Sequence, residues 1–183
     1  SNWTASGTAF TTRQPTFGDN TAARGNVSCN QQGDYWIGTY ENYDGVNGSP
    51  GNVRGDGATG TLTSQAFTIQ KRYITFLIGG GNHPGLTGVK LVCEGQDYPM
   101  ATGADTESMA AVTFDALGLL GKSANLVIFD QATGGWGHIN VDHFQASDEP
   151  APIGFQLTPG IPSADAPAVG YDQPLRPQFH FTP

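Results

Sequence analysis

Residues 125–145 read NLVIFDQATGGWGHINVDHFQ. Two runs rich in β-branched and aromatic residues, Asn125–Asp130 and His138–Gln145, stand on either side of a turn that contains three glycines. In the second run Ile139 and Val141 alternate with polar residues, and this period of two predicts a strand with one apolar face. Two strands around a glycine-rich turn favour an all-β protein.

Further runs of the same kind recur about every ten to fifteen residues and are bounded by Gly, Asn or Asp. They are Asp34–Asn42, Gly60–Ile69, Tyr73–Ile78, Gly88–Glu94 and Ala110–Asp115. No window of about 11–18 residues shows a convincing apolar stripe of helical period. Short strands at this spacing predict an all-β fold, an antiparallel β-sandwich of the jelly-roll type.

The composition narrows the classes of partner. The net charge is −8, and the chain has only eight Lys and Arg residues in all. Binding to phosphate backbones or anionic membranes requires clustered basic side chains, so we expect neither nucleic acid nor membrane as a partner. No run approaches the ~20 apolar residues that span a bilayer. A neutral ligand fits this composition best.

Cysteines and sequons bear on the compartment. Cys29 and Cys93 permit one disulfide, which would close a long loop in an oxidising compartment, and two buried free thiols are the alternative. Asn-x-Ser/Thr triplets begin at Asn2, Asn26 and Asn47. They fit a glycosylated, secreted protein, although such triplets also arise by chance in Asn- and Thr-rich sequence.

The C-terminal region has a different composition. Eight of the twelve prolines fall in residues 150–183, where they disfavour helix and central strand because proline lacks the N–H donor. We therefore predict one sandwich domain over residues 1–147 and a C-terminal region over 148–183. Residues 148–172 of that region read as an extended linker.

Several segments together resemble carbohydrate-binding module family 66. The resemblance covers residues 33–145, and the glycine-rich turn before the last predicted strand is its most specific part. This resemblance implies a non-catalytic β-sandwich that is attached to fructan-cleaving enzymes and binds the terminal fructose of levan or inulin. The matching segments are DYWIGTYE (34–41), GTLTSQAFTI (60–69), YITFLIGGGNHPG (73–85), ATGADTE (101–107) and FDQATGGWGHINVDHF (129–144).

The tail carries a second resemblance. YDQPLRPQFHFTP (171–183) looks like the start of a catalytic domain of glycoside hydrolase family 32, the levanase and inulinase family. In that family the nucleophilic aspartate follows this segment. The resemblance implies that the catalytic domain lies in the same parent chain and that residues 1–183 hold no catalytic residue. Retaining glycosidases need two carboxylates about 5 Å apart at the scissile bond.

The turn and strand at 136–142 hold the first candidate site residues. His138, Asn140 and Asp142 share one face of the predicted strand, and Trp136 precedes them. Planar polar side chains bind vicinal hydroxyls, and an indole covers the apolar side of a sugar ring. The alternative is a hydrogen-bonded staple that ties the last strand to the first, with Trp136 at the rim of the core.

Other candidates come from polar loops. Glu41, Arg54 and Asp56 surround a glycine-rich loop, where an arginine with two carboxylates can orient hydroxyls, or where all three are simply solvated. Residues 79–85 read GGGNHPG, either a tight turn or a floor that lets main chain approach a sugar. The candidate ligand-binding residues are Glu41, Arg54, Asp56, Asn82, His83, Glu107, Trp136 and His138.

Two acidic residues have structural explanations, and a third acidic residue is a candidate metal ligand. Glu107 is equally explained as a turn cap, and Asp130 as an Asx-turn. The spacing of His and Cys fits no zinc site, and no EF-hand loop is present. Jelly-roll sugar modules often hold a structural calcium, so Asp142 is a candidate calcium ligand, and no other cofactor is expected.

These observations lead to one prediction of function and two alternatives. We predict a secreted, fructan-binding module that recognises fructose-terminated polysaccharide and tethers a C-terminal glycosidase domain to it. One alternative is a structural domain that only packs on the hydrolase. The other is a fragment of an enzyme whose activity resides in the whole glycosidase.

Overall fold

The computed structural model describes residues 3–149 and 156–158, and for Pro99 and Gln156–Thr158 it describes the main chain only. Two short helices, α1 (Gly7–Thr11) and α2 (Asn20–Ala23), and a 3₁₀ helix (Leu117–Leu119) accompany twelve strands. The strands are β1 (Trp3–Ser6), β2 (Thr16–Phe17), β3 (Tyr35–Gly38), β4 (Gly60–Ser64), β5 (Phe67–Thr68), β6 (Tyr73–Gly80), β7 (Thr87–Cys93), β8 (Gln96–Ala101), β9 (Thr106–Asp115), β10 (Ser123–Asp130), β11 (Ile139–Ser147) and β12 (Gln156–Thr158).

The strands form two packed sheets, which confirms the predicted β-sandwich. The first sheet has the order β1-β4-β10-β7-β8, with β5 also paired to β10. The second has the order β12-β9-β6-β11-β3-β2. Neighbouring strands are antiparallel except β12 and β9, which are parallel.

The core lies between the two sheets and follows the alternation of the strands. In β7, Val89, Leu91 and Cys93 are buried, whereas Lys90 and Val92 are only partly covered. Phe76 of β6 contacts Phe114 and Phe144 with ring centroids 4.9 and 5.2 Å apart. Aromatic rings of this size contribute a large share of the apolar burial of a small domain.

The second sheet is also covered on part of its outer face. Cys29, Trp36 and Met109 form a separate buried cluster, with Leu77 packed against it. The loop around Cys29 thus adds a layer over β3, β6 and β9. For this reason the polar face of β11 is buried as well. The side chains of Asn140 and Asp142 on this face are as inaccessible to solvent as Ile139 and Val141 on the apolar face.

The structure identifies the two cysteines as free, buried thiols. The Cys29 thiol donates to Gln31 Oε1 at 2.9 Å, and Cys93 lies in the main core. The disulfide alternative is therefore wrong for this structure, because the two side chains belong to different apolar clusters. Burial raises the pKa of Cys29 to about 12.

The glycine run packs main chain against main chain. A Cβ atom on Gly81 would lie 1.8 Å from the carbonyl oxygen of Trp136, and one on Gly103 would lie 2.3 Å from that of Gly80. Gly80 has φ of +84°, a conformation that glycine adopts at little cost. This close approach joins the end of β6 to the turn before β11. The glycine run is therefore packed against protein main chain instead of forming a floor for a sugar.

Several predictions concern residues outside the described ranges. The tail 171–183 and Asn2 lie there entirely, as does most of the predicted linker 148–172. Within that linker, Gln156–Thr158 forms the edge strand β12 against β9. The division at residue 147 stays a prediction. No helix within residues 3–149 is long and apolar enough to cross a membrane.

Candidate functional site

A single arginine joins two buried carboxylates at one end of the second sheet. Arg24 follows α2, and its Nη1 donates to both carboxylate oxygens of Glu41 at 2.7 Å. Its Nη2 donates to Glu107 Oε1 at 2.6 Å. Glu41 is completely buried and Glu107 is 5% exposed. Such charge-assisted bonds are short and strong, and buried carboxylates require them.

The helix α2 positions this arginine. Asp19 caps the helix by accepting from Ala22 N at 3.0 Å. Asn20, in its first turn, donates to Glu41 Oε2 at 2.5 Å and accepts from Gly51 N at 2.5 Å. Burial raises the pKa of Glu41 against the opposing effects of Arg24 and Asn20. α2 therefore holds Glu41 from two sides.

Glu107 also contacts the polar face of β11. Asn140 Nδ2 donates to Glu107 Oε2 at 3.1 Å and to the Glu107 carbonyl at 3.0 Å. His138 Nε2 lies 3.4 Å from Glu107 Oε2, and its Nδ1 lies 2.7 Å from Asp56 Oδ1. His138 therefore stands between two carboxylates.

These contacts shift the pKa values in opposite directions. Burial alone would raise the pKa of Glu107, but the imidazole of His138, with Asn140 and Arg24, lowers it to about 2. Burial would lower the pKa of His138, but Glu107 and Asp56 outweigh it and raise the pKa. The result is a histidine that favours its charged form beside an ionised Glu107.

Aromatic rings flank the histidine. The ring centroids of Tyr40 and His138 are 4.9 Å apart, and those of Trp136 and His138 are 5.5 Å apart. The Arg24 guanidinium lies 5.3 Å from the centre of the Tyr40 ring. Trp136 is 37% exposed and has φ of +61°, so the turn holds the indole at the surface beside the polar cluster.

Some buried polar atoms of this cluster have no protein partner. Within the described residues, His138 Nε2 and Asn140 Oδ1 form no hydrogen bond that meets normal geometry. The same is true of both carboxylate oxygens of Asp130, although the Thr39 hydroxyl and the Ala132 N–H lie close to them. Unpaired buried polar atoms are rare in proteins, and each needs a physical explanation.

The predicted ligand-binding residues thus separate into three groups. In the first, Glu41, Asp56, Glu107 and His138 come together around Arg24, and Trp136 lies against His138. Together with Asn140, which contacts Glu107, these residues form what we call the Arg24 cluster.

Arg54 is placed differently from the prediction. Its side chain donates to main-chain carbonyls: Glu41 O at 3.0 Å, Thr8 O at 2.7 Å and Thr12 O. It therefore straps the loop to the N-terminal segment, and it meets Glu41 only through the main chain. Burial lowers its pKa.

Asn82 and His83 border the turn of Trp136 instead of the Arg24 cluster. His83 Nε2 lies 3.2 Å from the Gly135 carbonyl. The Asn82 main-chain N–H donates to Asp105 Oδ1 at 2.7 Å, and its side chain is exposed. Both residues support the loop, and their role in ligand binding stays a prediction.

Asp142, the candidate calcium ligand, lies apart from these residues. Its carboxylate accepts main-chain N–H groups of Gln32 and His143, both at 2.7 Å. Across residues 3–149 and 156–158, no group of three His, Cys, Asp or Glu side chains is arranged to hold a metal ion. The calcium prediction for Asp142 therefore gains no further ligand from the described part of the chain.

Sequence reasoning missed Arg24, Asn20 and Tyr40. Arg24 precedes the segments that carry the family resemblance, and its helix is too short to give a periodic pattern. One signal was available: two acids predicted for one site in a chain with only eight basic residues need a cation nearby.

Comparison with known proteins gives one similarity of interest. No family model matches the chain. Over 90 residues, 49% of this chain, the sequence is 41% identical to a protein of Aspergillus rugulosus whose full name is "Putative glycosyl hydrolase ecdE". The chain covers only 13% of that protein's length. About half of this chain is therefore similar to a small part of the protein that bears this name.

Proposed function

We propose that this sandwich is a non-catalytic carbohydrate-binding module that recognises the terminal fructose of levan or inulin. The observation that carries the proposal is the Arg24 cluster, where the exposed indole of Trp136 lies against His138, and where His138 Nε2 and Asn140 Oδ1 form no hydrogen bond within the described residues. The proposal includes an extracellular location and a tether to a glycosidase domain of the same parent chain.

The cluster has the chemistry that sugar hydroxyls require. Carboxylates accept hydrogen bonds from hydroxyl groups, and guanidinium, amide and imidazole groups supply donors. Each of the three carboxylates, Glu41, Glu107 and Asp56, has Arg24 or His138 as a partner, so a neutral ligand suits the site better than a charged one. Trp136 and Tyr40 can cover the apolar face of a sugar ring.

The geometry argues against hydrolysis at this cluster. A retaining glycosidase places its two carboxylates on either side of the scissile bond. Here the guanidinium of Arg24 occupies the space between Glu41 and Glu107. Glu41 is wholly buried, and its carboxylate accepts hydrogen bonds from Asn20 and Arg24. These acids therefore bind and orient rather than react.

The similarity to a glycosyl hydrolase supports a role with carbohydrate. It covers too little of that protein to transfer its activity, and a binding domain attached to a hydrolase accounts for such a partial match. The choice of fructose rests on the resemblance to carbohydrate-binding module family 66.

The proposal is tested by affinity electrophoresis of the folded chain in gels that contain levan, inulin or cellulose. We expect retardation by a fructan and none by cellulose. For fructose itself, about 0.3 kcal/mol for each of its dozen heavy atoms gives roughly 4 kcal/mol, a Kd of about 1 mM. Calorimetry measures this value.

Two variants locate the site. Trp136→Ala and His138→Ala should weaken fructan binding at least tenfold, while Tyr35→Ala, which removes another exposed aromatic ring, should bind normally. A thermal melt of each variant separates lost binding from lost folding. Unchanged mobility of the wild-type chain in every fructan gel would refute the proposal and favour a domain that only packs on a hydrolase.

A further inference from the structure

A second recess lies on the outer face of the second sheet. It is lined by Gln32, Thr75, Phe76, Leu77, His143 and Gln145, and it shares no residue with the Arg24 cluster. Thr75 and Leu77 point outward from β6, while the Phe76 side chain packs in the core, so Phe76 contributes main chain. The floor is therefore β6, and the side chains of Gln32, His143 and Gln145 stand around it.

A β-bulge places His143 at this recess. Asp142 pairs with Leu77 and Gln145 with Thr75, so two residues of β11 oppose one of β6. His143 has φ of +56°, in the left-handed region that usually belongs to glycine. Bulges redirect side chains, and strained backbone at such a position often marks a functional site.

One buried carboxylate fixes two sides of the recess. Asp142 Oδ1 accepts from His143 N and its Oδ2 accepts from Gln32 N, each at 2.7 Å. The carboxylate is almost fully buried, so it holds the bulge and the Gln32 loop in one arrangement. A preorganised recess loses less entropy when a ligand binds.

The lining offers neutral hydrogen-bonding groups over an apolar floor. Gln145 Nε2 lies 2.6 Å from His143 Nε2, so the amide and the imidazole stand side by side at the rim of the recess. The Thr75 hydroxyl bonds to that of Thr113 at 2.7 Å, and Leu77 supplies apolar surface beside it. No lining residue carries a formal charge when the imidazole is neutral.

We propose that this recess is a second ligand site, for a single neutral sugar ring or a polyol of similar size. Amide, imidazole and hydroxyl groups match sugar hydroxyls, and Leu77 meets the C–H face of the ring. The site is independent of the Arg24 cluster, so it stands whether or not that cluster binds fructose. Asp142 acts here as a positioning residue.

NMR titration of the full chain with D-fructose and with D-glucose tests this site. We expect saturating shifts of the Leu77 and Gln145 amides at millimolar sugar. His143→Gly removes the imidazole and suits the positive φ, so the variant should fold and bind at least tenfold more weakly at the recess. Glu94→Gly is the matched control, because exposed Glu94 also has positive φ, at +52°. It should bind as the wild type does.

The outcomes separate the two sites. In Trp136→Ala, shifts at Leu77 and Gln145 should persist, whatever happens near Arg24. The proposal is overturned if neither sugar gives saturating shifts at these two amides, or if folded His143→Gly binds there as tightly as the wild type.

Discussion

Arg24 sustains the buried cluster because one guanidinium serves two inaccessible carboxylates. Arg24→Lys keeps the charge but replaces the planar fork with a point charge that cannot bond Glu41 and Glu107 in the same way. Leaving a buried carboxylate unpaired is costly, so we expect the free energy of unfolding to fall by about 2–4 kcal/mol. Urea denaturation measures this loss.

A control variant tests whether the effect is specific to the two buried carboxylates, Glu41 and Glu107. Lys122→Ala breaks a surface ion pair with Glu94, whose carboxylate is well exposed, and should leave the melting temperature unchanged. If Arg24→Lys melts with the wild type, the two carboxylates do not depend on the fork, and the account of this cluster is wrong.

At single positions the sequence predicted which residues lie in the cluster better than it predicted which side chains contact each other. Glu41, Glu107, Asp56 and His138 were predicted to bind ligand, and in the structure they lie together. Their role in binding stays a prediction. Arg54 was predicted to act with Glu41 and Asp56, yet Arg24 pairs with the buried carboxylates and Arg54 binds main-chain carbonyls. Arg54 is near two acids in sequence, whereas Arg24 reaches its two acids from the end of α2. Proximity in sequence does not determine which arginine contacts a carboxylate, because that depends on the fold.

At the level of elements, the turn before β11 depends on close contact with the end of β6. Gly81→Ala would place Cβ at 1.8 Å from the Trp136 carbonyl, so the turn must shift. Forced main-chain displacement of this kind typically costs about 1–3 kcal/mol. We expect a lower melting temperature and weaker fructan binding, because Trp136 and His138 move with the turn.

The matched control is Gly135→Ala in the same turn. A Cβ there meets nothing within 4 Å, and this glycine has no positive φ. Melting temperature and fructan retardation should stay as in the wild type. Equal losses in both variants would show that the turn tolerates no alanine at all, and would remove the special role given to Gly81.

The sequence predicted central strands and missed edge elements. All seven predicted strand regions contain strands in the structure, because alternation is strongest where one face meets the core. β1, β2, β8 and β12 were not predicted. β2 has two residues, β8 contains Pro99, and β1 exposes three of its four residues. Edge strands bury little, so their sequences carry little pattern.

Across the whole molecule, the buried charges set opposite limits on stability. The pKa of Glu107 and that of Asp19 are lowered to about 2, so their stabilisation is present above about pH 4.5 and is lost in acid. Burial raises the pKa of Asp130 from 3.8 to about 6, so the folded state retains a proton that the unfolded state releases. Stability then falls between about pH 4 and 6, by roughly 3 kcal/mol at about 1.4 kcal/mol per pH unit. The raised pKa of His138 removes further stability above about pH 6.5.

These effects together predict that the chain is most stable near pH 4–5, below the usual range of about pH 5–8. Urea denaturation at intervals from about pH 3 to 8 should give a maximum of the unfolding free energy in that window. Asp130→Asn keeps the shape of the buried side chain without its charge, so its stability should exceed that of the wild type at pH 7 and equal it near pH 4. A wild-type maximum at neutral pH, or an Asp130→Asn curve that parallels the wild type throughout, would mean that Asp130 is ionised and well paired in the folded protein. In that case Asp130 would not cause the loss of stability at neutral pH.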